Sequence, residues 1–364
     1  MRVGVPKEIK EQEYRVAVLP SVVYLLTKLG HRVFVERGAG DGSGFPDREY
    51  EEAGAIMSSS HAEILDQGEL IVKVKEPLPS EYELLRRGQI LFTYLHLAAS
   101  KSLTEALMNS GVTAIAYETV EINRRLPLLE PMSEIAGRMS LIVGGYFLAK
   151  HSGGTGVLLG GVPGILPGNV VVIGGGTSGV NAARMAAGLG ANVTILEVDF
   201  ERMRFLDITM HTAHTLYSSE AHLLEMLPRT DLLIGAVLVP GARAPRLITR
   251  SMLRLMKPGS VLVDIAIDQG GCCETSRPTT HHDPVYVEEG ITHYCVANMP
   301  GAYARTATQA LTNVTSRFVE FLAEGGVKGA IQKEPGLATG INVMDGYVRN
   351  KAVAEAHDLP FKEL

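Results

Sequence analysis

Residues 170–199 read VVVIGGGTSGVNAARMAAGLGANVTILEVD, and this stretch decides the fold. An apolar run of strand type leads into a glycine turn, and a segment rich in alanine follows before a second apolar run. Gly174, Gly176 and Gly179 give the spacing G-x-G-x-x-G directly after the first run. Strand, glycine turn, helix and strand in this order predict one βαβ unit of a doubly wound parallel sheet.

The glycine turn also predicts a binding site for the pyrophosphate of a dinucleotide. Gly174 permits the tight turn, Gly176 lets the backbone approach the phosphates, and Gly179 lets helix and strand pack closely. The helix begins near Thr177 and Ser178, where free N–H groups and the positive end of the helix dipole favour an anion. A glycine turn without a ligand is the alternative, and the complete βαβ unit argues against it.

Glu197 ends the second apolar run, 18 residues after Gly179. An acid near this position typically binds the adenine ribose. A carboxylate repels a 2′-phosphate, so Glu197 favours NAD over NADP. Arg202 and Arg204 lie close by and weaken this inference, although Arg204 is better explained as part of a solvated helix face.

The remaining sequence indicates two α/β halves, in which strands alternate with helices. In the first half we predict that Ser21, Asp47 and Ser80 cap helices, and that Ser133 caps a longer one. A proline-rich break at residues 123–131 marks the first boundary, and residues 300–305 mark the second. The predicted strands are 2–5, 32–35, 70–74, 90–95, 113–117, 170–173, 193–196, 232–239, 261–265 and 292–297.

Composition excludes several classes of protein. The 364 residues are 46% hydrophobic and 20% charged, which is typical of a globular chain and not of a disordered one. The net charge of −6 and the lack of a dense basic run argue against a nucleic-acid partner. Three cysteines, two of them adjacent, make a poor disulfide framework or zinc site and fit a reducing compartment.

We expect no membrane segment and no signal peptide. Residues 152–183 carry no Asp, Glu, Lys or Arg, but Pro163, Pro167 and many glycines are incompatible with one membrane helix. The first residues alternate charges with short apolar runs and lack the apolar core of a secretion signal. A cytoplasmic location is therefore expected.

Polar side chains that follow the strands of the first half are candidates for binding a small ligand. Lys75 and His96 each follow a predicted strand, and Arg15 lies in an early charged loop. Arginine grips a carboxylate with two hydrogen bonds, lysine adds a point charge, and histidine exchanges a proton near neutral pH. Lys73 would serve as well as Lys75 on this evidence.

In the second half, Asp268 follows an apolar strand and precedes a glycine pair. We expect it near the nicotinamide end of a bound cofactor. Asp264, inside the strand, competes for this role, although an acid that caps a loop or helix is the better explanation of it.

Taken together, these motifs resemble the alanine dehydrogenases along essentially the whole chain. The similarity lies in MRVGVPKEIK, RVA at 15–17, RGAGDGSGF, IVKVKEPLPSEY, LFTYLHLAA, AIAYETVE, PMSEIAGRM, the glycine turn, DLLIGAVLVPGARAP, VDIAIDQGG, RPTTH and VANMPGA. The soluble part of the proton-pumping nicotinamide transhydrogenases shares this architecture. The absence of membrane segments from the sequence and the full set of alanine dehydrogenase motifs disfavour that alternative.

The resemblance implies the fold and the activity. It implies two Rossmann-like, doubly wound parallel-sheet domains with a cleft between them. Residues 1–127 with 305–364 would form the substrate domain, and 128–304 the NAD-binding domain. The reaction would be the reversible, NAD-dependent oxidative deamination of L-alanine to pyruvate and ammonia, in a homo-oligomer that is commonly a hexamer. An enzyme for another small 2-oxo acid such as glyoxylate, or a nucleotide-binding sensor without turnover, remains an alternative.

The resemblance also implies residue roles. Arg15 and Lys75 would bind the substrate, and His96 and Asp268 would be the acid and base. The residues implied to bind NAD, beyond the glycine turn and its helix start, are Ser133, Glu197, Arg202, Ser218, Val237, Leu238, Ile265, Ala266, Ile267, Asp268, Arg277, Val296, Ala297, Asn298 and Met299.

The sequence departs from the family at two places. Glu197 stands where the family usually has Asp, and Tyr303-Ala304 replaces Val-Pro after NMPGA. The longer acid is expected to shift the hydrogen bonds to the ribose. Without the proline, we expect a looser hinge.

Overall fold

The computed structural model describes residues 1–238 and 244–364, which form two compact units. Unit 1 contains residues 1–132 and 301–364. Unit 2 contains residues 133–238 and 244–300. Val239, the last residue of one predicted strand, lies outside the described residues.

Unit 1 is built on parallel strands that alternate with short helices, as the apolar pattern predicts. The strands are β1 (Arg2–Val5), β2 (Arg32–Glu36), β3 (Ile56–Ser58), β4 (Leu70–Val72), β5 (Ile90–Thr93) and β6 (Thr113–Ala116), and the helices are α1 (Pro20–Lys28), α2 (Asp47–Glu52), α3 (His61–Gln67), α4 (Lys101–Ser110) and α5 (Glu130–Phe147), the last reaching into unit 2. The central strands β1, β4, β5 and β6 are apolar and buried on both faces, whereas β3 at the edge of the sheet is partly exposed.

Unit 2 repeats this arrangement around the glycine turn. Its described strands form one sheet in the order β12-β13-β11-β10-β7-β8-β9, and every pairing is parallel except that of β12 with β13. The elements are β7 (Asn169–Ile173), α6 (Thr177–Gly188), β8 (Asn192–Glu197), α7 (Phe200–Thr209), β9 (Ala213–Tyr217), α8 (Glu220–Met226), β10 (Leu232–Gly235), α9 (Arg250–Leu253), β11 (Val261–Asp264), β12 (Val285–Glu288) and β13 (Ile291–Tyr294).

The chain then returns to unit 1. Helix α10 (Ala304–Lys333) is interrupted at Gly326, whose φ of 60° is outside the helical region. Strands β14 (Ile341–Met344) and β15 (Tyr347–Val348) follow, and α11 (Lys351–His357) is the last helix. Strand β14 pairs antiparallel with β6, which gives the described sheet the order β15-β14-β6-β5-β4-β1-β2-β3. The prediction of two parallel-dominated α/β units is confirmed.

Four predicted helix caps are wrong. Helix α1 begins at Pro20, because proline has no N–H to leave unpaired in the first turn, and Ser21 is already helical. Asp47 is the first residue of α2, and its carboxylate accepts the Gly38 amide at 2.7 Å. Ser80 lies inside a 3₁₀ turn, where Glu81 accepts the amide of Leu78. The fourth, Ser133, lies inside α5, which begins three residues earlier.

Among the described residues, no helix is long and apolar enough to cross a membrane. Short 3₁₀ turns follow several of the strands. They include Asp41–Ser43, Leu97–Ala99, Tyr117–Thr119, Ile265–Gln269 and Met299–Tyr303.

Candidate functional site

Three candidate substrate residues follow neighbouring strands of unit 1. Strands β1, β4 and β5 are adjacent and parallel, so their carboxyl ends lie along one edge of the sheet. Arg15 lies in the loop after β1, Lys75 follows β4, and His96 follows β5. This is the edge at which ligands bind in open α/β sheets.

Arg15 is buried and held by a neighbouring acid. Its guanidinium donates from Nε and Nη2 to the two carboxylate oxygens of Glu13, at 2.7 and 2.6 Å. The third nitrogen, Nη1, lies 3.0 Å from the sulfur of Met132. Burial alone would raise the pKa of Glu13, but Arg15 outweighs it and lowers this pKa to about 2. The guanidinium is therefore fixed in one orientation and remains charged.

Two lysines follow β4, and the structure distinguishes them. The Lys73 ammonium is buried between two acids, 2.8 Å from Glu81 and 3.3 Å from Glu8. Lys75 is also buried, with 4% of its surface exposed. Within the described chain, its ammonium makes no hydrogen bond or ion pair to a side chain. The Lys75 ammonium lowers the pKa of Glu76 and of Glu13 without being hydrogen-bonded to either. Its hydrogen-bonding positions can therefore serve a ligand, so Lys75 is the candidate for substrate binding and Lys73 is structural.

His96 has a strained backbone. Its φ of 49° and ψ of 39° lie in the left-handed region, which costs a residue with a Cβ about 1–2 kcal/mol. The Glu118 carboxylate, which follows β6, accepts the amides of both Leu95 and His96, the latter at 2.6 Å. The imidazole is stacked on the Tyr94 ring with centroids 6.0 Å apart. These contacts orient a partly exposed imidazole at the sheet edge, as proton transfer requires.

Glu76, next to Lys75, is a further acid of this edge. It forms an ion pair with Lys10, while its second carboxylate oxygen is buried without a hydrogen-bond partner. Burial raises the pKa of Glu76, and the positive charges of Lys75, Lys10 and His96 together bring this pKa below its ordinary value. Cations and acids therefore alternate along this edge, and the ammonium of Lys75 is the cation that no carboxylate contacts directly.

The glycine turn of unit 2 has the geometry that its sequence predicts. Gly174 has a φ of 95°, in the left-handed region. A Cβ on Gly179 would be 1.8 Å from the Gly174 carbonyl oxygen, so this close approach of helix and strand requires glycine. A Cβ on Gly176 would have no neighbour within 4 Å, so the backbone at the start of α6 is accessible. These features fit a dinucleotide pyrophosphate.

Glu197, at the end of β8, folds back onto the glycine turn. Its carboxylate accepts the amides of Gly175, Val198 and Asp199, at 2.7, 2.6 and 3.0 Å. A carboxylate has about four acceptor positions, so one remains for a ribose hydroxyl. The acid thus anchors the turn from the position where a ribose would bind.

The two arginines near Glu197 differ in their surroundings. Arg202 donates from Nε to the Gly175 carbonyl at 2.6 Å, and burial lowers its pKa. Arg204 is exposed and pairs with Glu201 on the surface of α7. Arg202 therefore belongs to the glycine turn, and Arg204 is the solvated residue that its position suggests.

The structure also separates Asp264 from Asp268. Asp264 is fully buried and accepts from the amides of Ala266 and Cys272 and from the Ser276 hydroxyl. It therefore stabilises the turn after β11. Asp268 is exposed, and its described contact is with the Asn298 amide.

The other predicted cofactor residues also lie in unit 2, mostly after strands. Ser218 follows β9, and its amide donates to the Glu197 carbonyl at 2.8 Å. Val237 and Leu238 follow β10, and Ser133 is half-buried inside α5. The Arg277 guanidinium lies 3.9 Å from the Tyr286 ring centroid. After β11 and β13, respectively, come Ile265, Ala266 and Ile267, and Val296, Ala297, Asn298 and Met299.

Sequence reasoning missed two acids of unit 1. Glu13 clamps Arg15, and Glu118 holds the main chain of His96. Glu118 carried a signal, since it follows a predicted strand at the same edge as Lys75 and His96. For Glu13, the only signal in the sequence was its closeness to Arg15 along the chain.

The departure at residues 303–304 is located at the start of α10. Ala304 is the first helical residue and is buried, whereas Tyr303 is 40% exposed. Proline is tolerated at a first helical position, so alanine replaces it here without loss of the helix.

The glycine turn after β7, the acid at the end of β8 and the doubly wound sheet define unit 2 as a Rossmann-type dinucleotide-binding fold. With the Arg15, Lys75 and His96 side chains at the sheet edge of unit 1, they place the chain in the class of two-domain α/β dehydrogenases. Residues 4–136 match the family described as Alanine dehydrogenase/PNT, N-terminal domain, and residues 140–351 match its C-terminal domain. The chain belongs to this alanine dehydrogenase/PNT family.

Individual relatives agree with this membership. The chain is 55% identical to the alanine dehydrogenase of Halomonas elongata, over 100% of this chain and 98% of that protein. A solved L-alanine dehydrogenase superposes with a TM-score of 0.91 at 52% identity, covering 98% of this chain and 99% of that one. A solved transhydrogenase from Sinorhizobium meliloti is more distant, with a TM-score of 0.80, 27% identity and coverage of 96% and 100%.

Proposed function

We propose that the chain is an NAD-dependent alanine dehydrogenase. L-alanine, NAD⁺ and water would give pyruvate, ammonium, NADH and a proton, and the reaction would be reversible. The observation that carries the substrate assignment is the Lys75 ammonium, which is buried at the sheet edge and makes no hydrogen bond or ion pair among the described residues. A 2-amino or 2-oxo carboxylate supplies the missing acceptors.

Arg15 and Lys75 would hold the substrate. Glu13 fixes the orientation of the Arg15 guanidinium, which would meet the substrate carboxylate in a single geometry. Lys75 would then donate to the carboxylate or to the 2-oxo oxygen, and its charge would polarise that carbonyl. Positioning of this kind removes much of the entropic barrier of a two-substrate reaction.

His96 and Asp268 would move the protons. Oxidation of the amine gives an imine, which takes up water and then releases ammonium. An acid and a base are therefore needed at the 2-carbon. When bound, NAD⁺ supplies the acceptor for the hydride of the α-carbon.

The cofactor would be held by unit 2. We propose that the pyrophosphate binds at Gly174, Gly176 and the start of α6, and that Glu197 binds the adenine ribose. The further cofactor residues would be Ser133, Thr177, Ser178, Gly179, Arg202, Ser218, Val237, Leu238, Ile265, Ala266, Ile267, Asp268, Arg277, Val296, Ala297, Asn298 and Met299. On this assignment, residues 128–304 are the NAD-binding domain, and residues 1–127 with 305–364 are the substrate domain.

We further propose a homohexamer in the cytoplasm. Leu158, Val162, Ile165 and Leu166 expose between 54 and 90% of their surfaces on one turn of unit 2, which supports burial against another copy. The number six follows from the family resemblance, and sedimentation would test it. The free, buried cysteines Cys272, Cys273 and Cys295 support a reducing compartment.

The test is formation of NADH from NAD and L-alanine by the purified chain, with glycine, L-serine and NADP as parallel controls. Reductive amination of pyruvate and of glyoxylate with ammonium tests the reverse direction. Alanine-dependent NADH supports the proposal. Preference for glyoxylate would mean a different substrate, and NAD binding without turnover in either direction would mean a sensor.

A further inference from the structure

Lys73 is the buried lysine of unit 1 that the proposed mechanism does not use. Lys73 has 1% of its surface exposed and lies between Glu8 and Glu81. We define these three residues as the Glu8–Lys73–Glu81 cluster. All three are buried.

Glu8 connects this cluster to the main chain of the proposed substrate lysine. Its Oε1 accepts the amide of Val74 at 2.6 Å and the amide of Lys75 at 3.4 Å. Its Oε2 lies 3.3 Å from the Lys73 ammonium. The Glu8 carboxylate therefore holds the main chain just after the end of β4, at Val74 and Lys75.

The far end of the cluster is anchored independently of Glu8. Glu81 lies 2.8 Å from Lys73 and accepts the Leu78 amide at 2.8 Å. Glu81 also bonds His61, which is bonded in turn to Glu36 at the end of β2. Lys73 thus links the Lys75 segment to the 3₁₀ turn that contains Glu81 and, through His61, to the end of β2.

Lys73 also helps to keep the Glu8 carboxylate in place as a hydrogen-bond acceptor. Burial raises the pKa of Glu8, and the Lys73 ammonium acts in the opposite direction. Without Lys73, the Glu8 carboxyl would lose its counter-charge and its fixed orientation. The amides of Val74 and Lys75 would then lose a charged hydrogen-bond acceptor.

We infer that Glu8 and Lys73 are positioning residues, which hold the Lys75 main chain so that its ammonium meets the substrate. This inference rests on the proposed function, because Lys75 is taken as a substrate-binding residue. Neither Glu8 nor Lys73 need touch the substrate. The effect is expected mainly in KM for pyruvate and alanine, since a small displacement of a binding group can cost about 100-fold.

The decisive variant is Glu8→Gln. It removes the charge, keeps one carbonyl acceptor, and leaves Lys73 paired with Glu81, so folding is retained. We expect KM for pyruvate to rise at least about tenfold, kcat to fall by less than this, and the Kd for NADH, measured by fluorescence, to stay within about twofold.

Lys73→Met and the double variant extend the test. Lys73→Met leaves Glu8 without its cation, whereas the double variant Glu8→Gln/Lys73→Met removes both charges of one pair. If the two residues act as one unit, the rise in KM of the double variant is well below the product of the single rises. A rise in KM of the double variant that is close to the product of the two single rises would overturn the coupling.

Asp231→Asn is the matched control. Asp231 is a buried acid of unit 2 that accepts a main-chain amide from Asn169 at 2.8 Å and lies 3.0 Å from the Lys257 ammonium. It has the same chemistry as Glu8 but precedes its strand. We expect a lower melting temperature with no change in KM for pyruvate.

The outcomes separate this inference from the proposed function. An inactive wild-type chain would overturn the function itself. An active wild type with a folded Glu8→Gln variant whose KM is unchanged would overturn only the positioning role. Equal rises in KM for Glu8→Gln and Asp231→Asn would also overturn it, because they would indicate general destabilisation.

Discussion

The amide of Asn298 donates to both carboxylate oxygens of Asp268, at 3.2 and 3.3 Å. Asn298 has a φ of 65°, a left-handed conformation that is strained for a residue with a side chain. The hydrogen bond therefore joins a strained backbone position to an exposed acid that follows β11. Strain of this kind is concentrated at functional sites.

We predict that Asp268→Asn lowers kcat for alanine by about 10²–10⁴, the usual contribution of an acid or base. The amide keeps an acceptor for Asn298 but cannot exchange a proton, so kcat should fall by a much larger factor than any rise in the Kd for NADH, to which Asp268 is also proposed to contribute. Stopped-flow turnover and fluorescence titration measure the two quantities. Asp283→Asn, at an exposed loop position, is the control and should leave both unchanged. Full activity of Asp268→Asn would remove Asp268 from the mechanism.

Gly179→Ala should weaken NADH binding and destabilise the chain. The added Cβ would be 1.8 Å from the Gly174 carbonyl oxygen, so the helix must move from the turn. Overpacking of this kind costs about 1–3 kcal/mol. Gly188→Ala, in the same helix but with nothing within 4 Å of its Cβ, should instead stabilise by about 0.5–1 kcal/mol. Urea unfolding and NADH titration compare the pair, and equal effects would contradict the packing argument.

Lys75→Met should abolish turnover at a smaller cost in stability than Lys73→Met. The variant removes a buried ammonium that makes no hydrogen bond or ion pair in the described chain, and methionine fills the space of its stem. Lys73→Met should destabilise by about 3–5 kcal/mol, because it leaves the buried Glu8 without its cation. Thermal unfolding measures both variants. A melting temperature of Lys75→Met as low as that of Lys73→Met would contradict this ranking.

The sequence predicted best what depends on local chemistry. The glycine turn works because each glycine has its own steric reason, and those reasons depend only on neighbouring residues. The parallel strands were predicted because helices cover both faces of the sheet. Strands buried in this way appear in the sequence as continuous apolar runs. The strand β14 was missed because its partner is β6, more than two hundred residues earlier, and its own segment has weak periodicity.

The sequence predicted which residue types form the candidate site, but it did not distinguish between two similar residues at the same strand end. Lys73 and Lys75 both follow β4, and nothing local distinguishes them. The distinction comes from the carboxylates of Glu8 and Glu81, which lie at the ammonium of Lys73 and not at that of Lys75. In the same way, Ser133 has the right chemistry for a helix cap, but α5 begins earlier and takes it into its interior.

The stability of unit 1 should depend on pH through His61. Hydrogen bonds to Glu36 and Glu81 raise the pKa of His61 from 6.5 to about 9. A raised pKa in the folded state stabilises the protein fully below pH 6.5, and this contribution is lost as the pH rises through 9.

We therefore predict that His61→Gln destabilises the chain by up to about 3 kcal/mol at pH 6 and by little at pH 10. Urea unfolding of wild type and variant between these pH values measures the difference. His211→Gln, at an exposed position, is the control and should give a flat difference. A His61→Gln difference that is equally flat, or that grows with pH, would show that the imidazole is not held as a cation between Glu36 and Glu81.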